Sequence, residues 1–339
     1  MPGPYMPATT ILVTGASGFI GCHCVLDLLN HGYRVRGSVR DLGRTGALEK
    51  TLSTYGADTS QLDWVAASLT EPDSWSAAVD GCDAIFHVAS PVPTIQPKNP
   101  DDVIEPARQG TLNVLEAAAS QGINRVVLTS SVTAILGGIS EDRVYTGADW
   151  SDPSDPDMIP YAISKTVAER SAWDFCQSKG ISLTTIHPAM VLGPALETDY
   201  GSSLDALVKL LRREVLLLPR FGFEIVDVRD VAGLHRLALQ NPDAIGQRLI
   251  AANGFLWFRE IAALLIDTYP DRRIPNREMP NWLTRLTSLF VGELGTILKD
   301  LDVAAKLNNS PSINLGWQPR TPQDAILSGA KSLIDLGIV

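Results

Sequence analysis

Residues 9–21, "TTILVTGASGFIG", decide the fold: a run of β-branched and apolar residues leads straight into Gly15, Gly18 and Gly21. A glycine triplet alone says little, but between a strand and a helix it has the setting of a dinucleotide loop. Gly15 permits the tight turn, Gly18 lets the backbone approach a pyrophosphate, and Gly21 lets the helix pack closely on the strand. The helix N-terminus then favours the anion. Phe19 and Ile20 are expected to anchor the loop in the core with their amides toward phosphate. The competing reading is a strand-to-helix turn that holds no ligand.

Working outward, "CHCVLDLLNHG" (22–32) reads as a helix and "RVRGSVR" (34–40) as the next strand, the repeating unit of a parallel sheet. "LDWVAAS" (62–68), "AIFHVAS" (84–90), "RVVLTSS" (125–131) and "LTTIHPAMV" (183–191) continue the strands, with helices such as "EPARQGTLNVLEAAASQG" (105–122) between them. The expected class is α/β, a doubly wound parallel sheet of the Rossmann type over residues 8–192. Beyond Gly193-Pro194, "SSLDALVKLLRREVLLLP", "REIAALLIDTYP" and "PNWLTRLTSLFVGELGTILKDLD" look helical, so residues 193–339 are expected to form a smaller, mostly helical substrate-binding lobe. Residues 223–240 read as strand, turn and helix that rejoin the first domain.

The 339 residues are 45% hydrophobic and 19% charged, enough to bury a large core. A net charge of -10 with interspersed acids and bases argues against a nucleic-acid surface. No signal-like start and no apolar run of about 18 residues is present, so a cytoplasmic protein with no membrane partner is expected. Cys22, Cys24, Cys82 and Cys176 lack the paired spacing of a zinc site or a disulfide framework, so no metal is expected. Helices on such a sheet are compatible with a monomer or a homodimer.

The second strand ends in "SVRDLGR". An acid at this tip accepts from the ribose hydroxyls of NAD, whereas an arginine suits the 2′-phosphate of NADP. Arg40 follows Val39 directly and Arg44 stands one turn on, which favours NADPH; Asp41 keeps NAD as the lesser alternative. "YAISK" (161–165) follows Pro160, which suits a helix start, and its i, i+4 spacing places Tyr161 and Lys165 on one face. Upstream, "VVLTSSVTA" brings serines to the carboxyl edge of the sheet, the side where such folds hold ligands. A phenol titrates near 10. Proton transfer at neutral pH therefore needs a cation beside it, a part that suits Lys165.

Gly15-x-x-Gly18-x-x-Gly21, Ser131, Tyr161-x-x-x-Lys165 and "HPAMVLGP" together resemble an extended short-chain dehydrogenase/reductase. "SVRD", "LTEPDSWSAAVDGCDAIFHVASPV" and the tail "LGWQPRTPQDAILSGAKSLIDLGIV" narrow the likeness to the dihydroflavonol reductase-like branch, with its cinnamoyl-CoA reductases and NADPH-dependent carbonyl reductases. The resemblance implies that Ser131 bonds the substrate carbonyl oxygen, that Tyr161 donates its proton, and that Lys165 binds nicotinamide ribose and lowers the tyrosine's pKa. Ser130 competes with Ser131 for the first role. Cofactor contacts are implied at Val88, Ala89, Ser90, Pro188 and Val191, and at Ser68 and Leu69, where the family commonly has Asp-Leu against adenine. Asn113 is given no catalytic role, and His187 is read as a satisfied strand-end histidine rather than a cleft base.

What the resemblance implies is an NAD(P)-dependent oxidoreductase that reversibly reduces a hydrophobic or aromatic aldehyde or ketone. The small-molecule carbonyl substrate is expected near Pro91-Val92-Pro93, residues 134–139, Met190 and the lobe aromatics Phe221, Phe223, Trp257, Phe258 and Trp282. One alternative on the same fold is an NAD-dependent nucleotide-sugar epimerase or dehydratase, for which Arg212, Arg213, Arg229, Arg272 and Arg273 are the available diphosphate ligands. Another is a non-catalytic dinucleotide-sensing regulator, which has no need for Ser131, Tyr161 and Lys165 together.

Overall fold

In the computed structural model, which describes residues 9–91, 99–137 and 143–339, the alternating runs become seven parallel strands. They are β1 (Thr10–Thr14), β2 (Arg34–Val39), β3 (Leu62–Ala66), β4 (Ala84–His87), β5 (Arg125–Thr129), β6 (Ser182–Pro188) and β7 (Arg248–Ala251). Their order across the sheet is β3-β2-β1-β4-β5-β6-β7. Parallel strands need crossovers, and the helices that make them cover both faces. Helix α1 (Phe19–Asn30) packs on one face, and α2 (Asp101–Ser120) with α3 (Pro160–Lys179) on the other; α4 (Val228–Gln240) packs against α1. The period of two shows in β1, where Ile11 and Val13 enter the α1–α4 core while Leu12 enters the α2–α3 core.

The strand order reverses beside β1, whose neighbours are β2 and β4. Such a switch point opens a crevice at the carboxyl ends of the strands. Gly15 and Val88 lie at those ends.

"LTTIHPAMV" is not one strand but two. Pro188 ends β6, and after Ala189 the chain forms Met190–Leu192, which leaves the main sheet and pairs with Gly222–Asp227. A proline cannot donate to a further ladder bond, which suits the exchange of partner. Beyond it, helices Asp205–Leu211, Phe258–Thr268 and Pro322–Asp335 enclose a second core of Leu204, Leu207, Phe258, Ile261 and Ile326. The chain returns to the main sheet through α4 and then β7, a four-residue strand that pairs with β6. The long apolar stretch from Pro280 forms only the short helices Asn281–Thr287 and Gly292–Gly295, as glycine disfavours helix interiors. No helix among the described residues is long and apolar enough to cross a membrane.

Candidate active site

The glycine loop occupies the switch point. Gly15 has φ +65°, and a Cβ there would lie 3.0 Å from Ala89 Cα, while a Cβ on Gly21 would lie 2.1 Å from the Gly15 carbonyl oxygen. Neither position admits a side chain. Gly18 caps α1 without a side-chain bond, and Cys22 N–H donates to the Gly18 carbonyl at 2.8 Å. The amides of Phe19, Ile20 and Gly21 precede that bond and remain open to an anion. Both side chains, Phe19 and Ile20, pack against the core.

Thr14 ties the end of β4 to this loop. Its hydroxyl oxygen accepts from the Val88 and Ala89 amides at 3.0 and 2.9 Å and lies 2.9 Å from His87 Nδ1. Burial, with Lys165 nearby, pushes His87 down to about 3. The ring is therefore neutral, and the hydroxyl donates to it. Val88, Ala89 and Ser90 thus begin beside Gly15.

At the far end of the crevice, Arg40 follows β2, is exposed, and makes no ion pair among the described residues. Asp41 commits its carboxylate to its own turn, accepting from Gly43 N–H at 2.8 Å. Arg44 is engaged by Asp199 at 3.1 Å and by Glu197 at 3.4 Å. Ser68 and Leu69 follow β3; the Ser68 hydroxyl lies 3.1 Å from that of Thr70, and Leu69 passes over Gly110. Asn113 donates to the Leu69 carbonyl at 2.9 Å, so its side chain serves this turn.

The two serines after β5 take different partners. Ser130 donates to Glu169 Oε2 at 2.6 Å inside the protein. Ser131 Oγ accepts from Thr133 N–H at 3.2 Å and lies close enough to the Tyr161 hydroxyl to oppose the rise of its pKa. Pro160 opens α3, and the i, i+4 spacing sets Lys165 Nζ 6.0 Å from the Tyr161 ring centroid, where it donates to the Thr129 carbonyl at 3.4 Å. Lys165 is only 7% exposed. Burial brings it down to about 8, against the opposing pull of Glu169. Burial also raises the Tyr161 phenol, against the opposing effect of Ser131. Without a further cation, Tyr161 is a protonated donor. The Pro188 carbonyl accepts from Val132 N–H at 3.1 Å, which puts Pro188 next to Ser131, whereas Val191 packs in the core.

Glu169 was not singled out in the sequence, although 161, 165 and 169 recur at the spacing of one helix face. It is buried and accepts from His187 Nε2 (2.8 Å), Arg248 Nε (2.7 Å), the Thr185 hydroxyl (3.0 Å) and the Trp173 indole (3.2 Å). Burial alone would raise its pKa, but His187 and Arg248 outweigh it and hold the carboxyl far below the usual range. Arg248 in turn lies 3.6 Å over the Trp150 ring. His187 is thus an interior residue tied to Glu169 through Nε2, but not the fully satisfied histidine expected, since its buried Nδ1 has no hydrogen-bond partner among the described residues.

On the substrate side, Pro91 and Met190 are partly exposed, while Val92, Pro93, Gly138 and Ile139 lie outside the described residues. Phe221 meets Phe223 edge-on and Phe258 at a tilt, with ring centroids 4.8 and 5.3 Å apart, as part of the second core. Trp257 meets Phe255, and Trp282 is exposed. Arg212 and Arg272 donate to the carbonyls of Ile338 and Val339, and Arg229 pairs with Asp227. Cys22 and Cys24 are buried in the α1 core, and burial pushes the Cys22 thiol up to about 12.

The model of the NAD dependent epimerase/dehydratase family matches residues 11–251. Cinnamoyl-CoA reductase CAD2 of Medicago truncatula is 34% identical over 277 residues, 79% of this chain and 83% of that protein. Dihydroflavonol 4-reductase of Arabidopsis thaliana is 34% identical over 276 residues, 79% of this chain and 71% of its own. Among solved structures, Gre2 of Candida albicans in complex with NADPH superposes with a TM-score of 0.80 at 26% identity, covering 97% of this chain and 99% of that one. Vestitone reductase from alfalfa gives 0.74 at 26% identity, with the same two coverages.

Proposed function

The chain belongs to the NAD dependent epimerase/dehydratase family, and from that premise we propose that it catalyses the reversible, NADPH-dependent reduction of a hydrophobic or aromatic aldehyde or ketone. Its curated relatives are named reductases, and it is an NAD(P)-dependent oxidoreductase. The observation that carries the reading is the meeting of Ser131, Tyr161 and Lys165 within reach of the glycine loop. Lys165 donates to Thr129 at the end of β5, β5 pairs with β4, and His87 at the end of β4 bonds Thr14, which leads into Gly15.

The residues fit a dinucleotide. Two glycines stand where no Cβ is tolerated, three amides are open at an uncapped helix start, and Arg40 is exposed with no ion pair among the described residues. Gly15, Gly18, Phe19, Ile20 and Gly21 would hold the pyrophosphate, and Arg40 and Arg44 the 2′-phosphate. Ser68 and Leu69 would border adenine, and Val88, Ala89, Ser90 and Pro188 would border the remainder. Reduced nicotinamide, when bound, supplies the hydride. Ser131 holds the substrate carbonyl oxygen beside the Tyr161 hydroxyl, and Tyr161 gives that oxygen its proton. Lys165 then stabilises the phenolate and positions the nicotinamide ribose. Partly exposed Pro91 and Met190 support an apolar carbonyl substrate.

Tyr161→Phe should lower kcat/KM for carbonyl-dependent NADPH oxidation by about 10²- to 10⁴-fold while cofactor binding and folding persist. A folded variant with full carbonyl reduction overturns the proton-donor role. The same assay addresses the epimerase alternative, since turnover of a nucleotide sugar with no net NADPH consumption would support it instead. Against that alternative, Arg212, Arg229 and Arg272 are already turned to this chain's own carbonyls and carboxylate.

A further inference from the structure

Arg44 reads from the sequence as a phosphate ligand, yet its two terminal nitrogens face Asp199 at 3.1 Å and Glu197 at 3.4 Å. We propose that Glu197 and Asp199 are specificity-determining residues, which compete with the 2′-phosphate of NADPH for Arg44 and so set the preference of this chain between NADPH and NADH. The inference rests on the NADPH-dependent reading given above and deepens it.

Three observations support the competition. First, the acids are held in place. Thr51, one helix beyond Arg44, donates to Glu197 at 3.2 Å, and Gly201 closes the segment with φ +73° against Phe19, where a Cβ would lie 3.1 Å from the Phe19 Cβ. Second, the same segment stands over the open helix start. A small pocket has Ser17, Gly18 and Phe19 on one side and Leu196, Glu197 and Asp199 on the other. The acids therefore face the region that should receive the cofactor's anionic backbone. Third, Arg44 is doubly engaged. Two carboxylates face its single guanidinium, one on each terminal nitrogen. A 2′-phosphate arriving here meets an Arg44 whose charge is already opposed.

The solvent exposure of the cluster bounds the size of the effect. Arg44 and Asp199 side chains are 45% and 58% exposed, so their pair is weak and exchangeable, while Glu197, 17% exposed, is the more firmly seated acid. Phosphate, with more charge and three acceptor oxygens, can displace a carboxylate from a guanidinium fork. The acids tax that exchange without forbidding it.

The test measures dissociation constants for NADPH and NADH by nicotinamide fluorescence titration of the full chain, in wild type, the double variant Glu197→Gln/Asp199→Asn, Arg44→Ala, and all three changes combined. The replacements are near-isosteric amides that can still accept hydrogen bonds, so folding should be kept. The double variant should raise the NADPH-over-NADH affinity ratio by about three- to tenfold. Arg44→Ala should lower the ratio, and in its background the acid changes should have no further effect. An unchanged ratio in the double variant, with Arg44→Ala still weakening NADPH, overturns the competition and leaves the NADPH reading standing. A wild type that prefers NADH, with a ratio insensitive to Arg44, overturns both.

Discussion

Two carboxylate–guanidinium clusters flank this crevice, and they differ in almost everything but chemistry. Beneath the serines, Glu169 and Arg248 have side chains 1% and 8% exposed, and Glu169 collects bonds from β5, β6, β7 and its own helix. At the rim, Arg44 and Asp199 are open to solvent and Glu197 is largely buried beside them. Removing two charges from water is costly, so a buried pair persists only when further hydrogen bonds satisfy its remaining atoms. Glu169 meets that condition. It fixes Ser130, and with it the turn that leaves Ser131 facing Tyr161. The rim cluster carries a smaller desolvation cost, because Arg44 and Asp199 stay in water, and less net energy, which is what a contact exchanged for a ligand requires. The difference assigns the first cluster to holding the site and the second to adjusting it.

The largest effect expected from this contrast is on stability. Glu169→Ala leaves Arg248 buried without its carboxylate and should cost about 3–5 kcal/mol in urea unfolding, against less than about 1 kcal/mol for Arg44→Ala. Equal losses would abolish the distinction. The buried cluster also has an acid signature. The Glu169 carboxyl is held below its ordinary 4.5, so the folded state binds its proton less readily than the unfolded state. Its contribution is complete above that value and is lost as pH falls through the acid range toward the depressed folded value. Wild type should therefore lose stability on acidification more steeply than Glu169→Ala.

The next effect is on rate. Lys165 sits at about 8 instead of 10.5, with burial lowering it and Glu169 opposing. Its ammonium is lost as pH rises past about 8, so kcat/KM for reduction should decline there. The unfolded chain keeps that proton up to 10.5, so between about 8 and 10.5 the same group makes stability rise with pH. Glu169→Gln removes the charge that supports the ammonium and should move the alkaline decline to lower pH, while Arg44→Ala leaves it in place. An unmoved limb in a folded Glu169→Gln enzyme would confine the buried cluster to architecture.

Much of the sheet could be read from the chain because its signals are local. Alternation within "TILVT", glycines at fixed offsets and a proline before Tyr161 each act within one element. The buried cluster could not be read in this way. Arg248 lies 79 residues from Glu169, on a strand of four residues whose apolar run is too short to stand out. Ser130 and Ser131 were indistinguishable by type, and only the partners waiting on α3 separate them. Arg44 was legible as a cation, but Asp199, 155 residues away, reaches it only once Gly193 and Gly201 have turned the chain. Side-chain type shows what a group can bind, while topology decides what reaches it first.

The smallest effect discriminates between the clusters by salt. Raising ionic strength from about 0.1 to 1 M shortens the Debye length from about 10 to 3 Å, which screens charges that ions can approach. Arg44 and Asp199 lie open to solvent, so the already small stability cost of Arg44→Ala should shrink across this range. The cost of Glu169→Ala should stay near its low-salt value, because the Glu169 and Arg248 side chains admit almost no solvent. Urea unfolding of both variants and wild type at the two salt concentrations gives the comparison directly. A salt-sensitive Glu169→Ala penalty would mean that water and ions reach the interior beneath Ser130, and the rigid support ascribed to that cluster would fail with it.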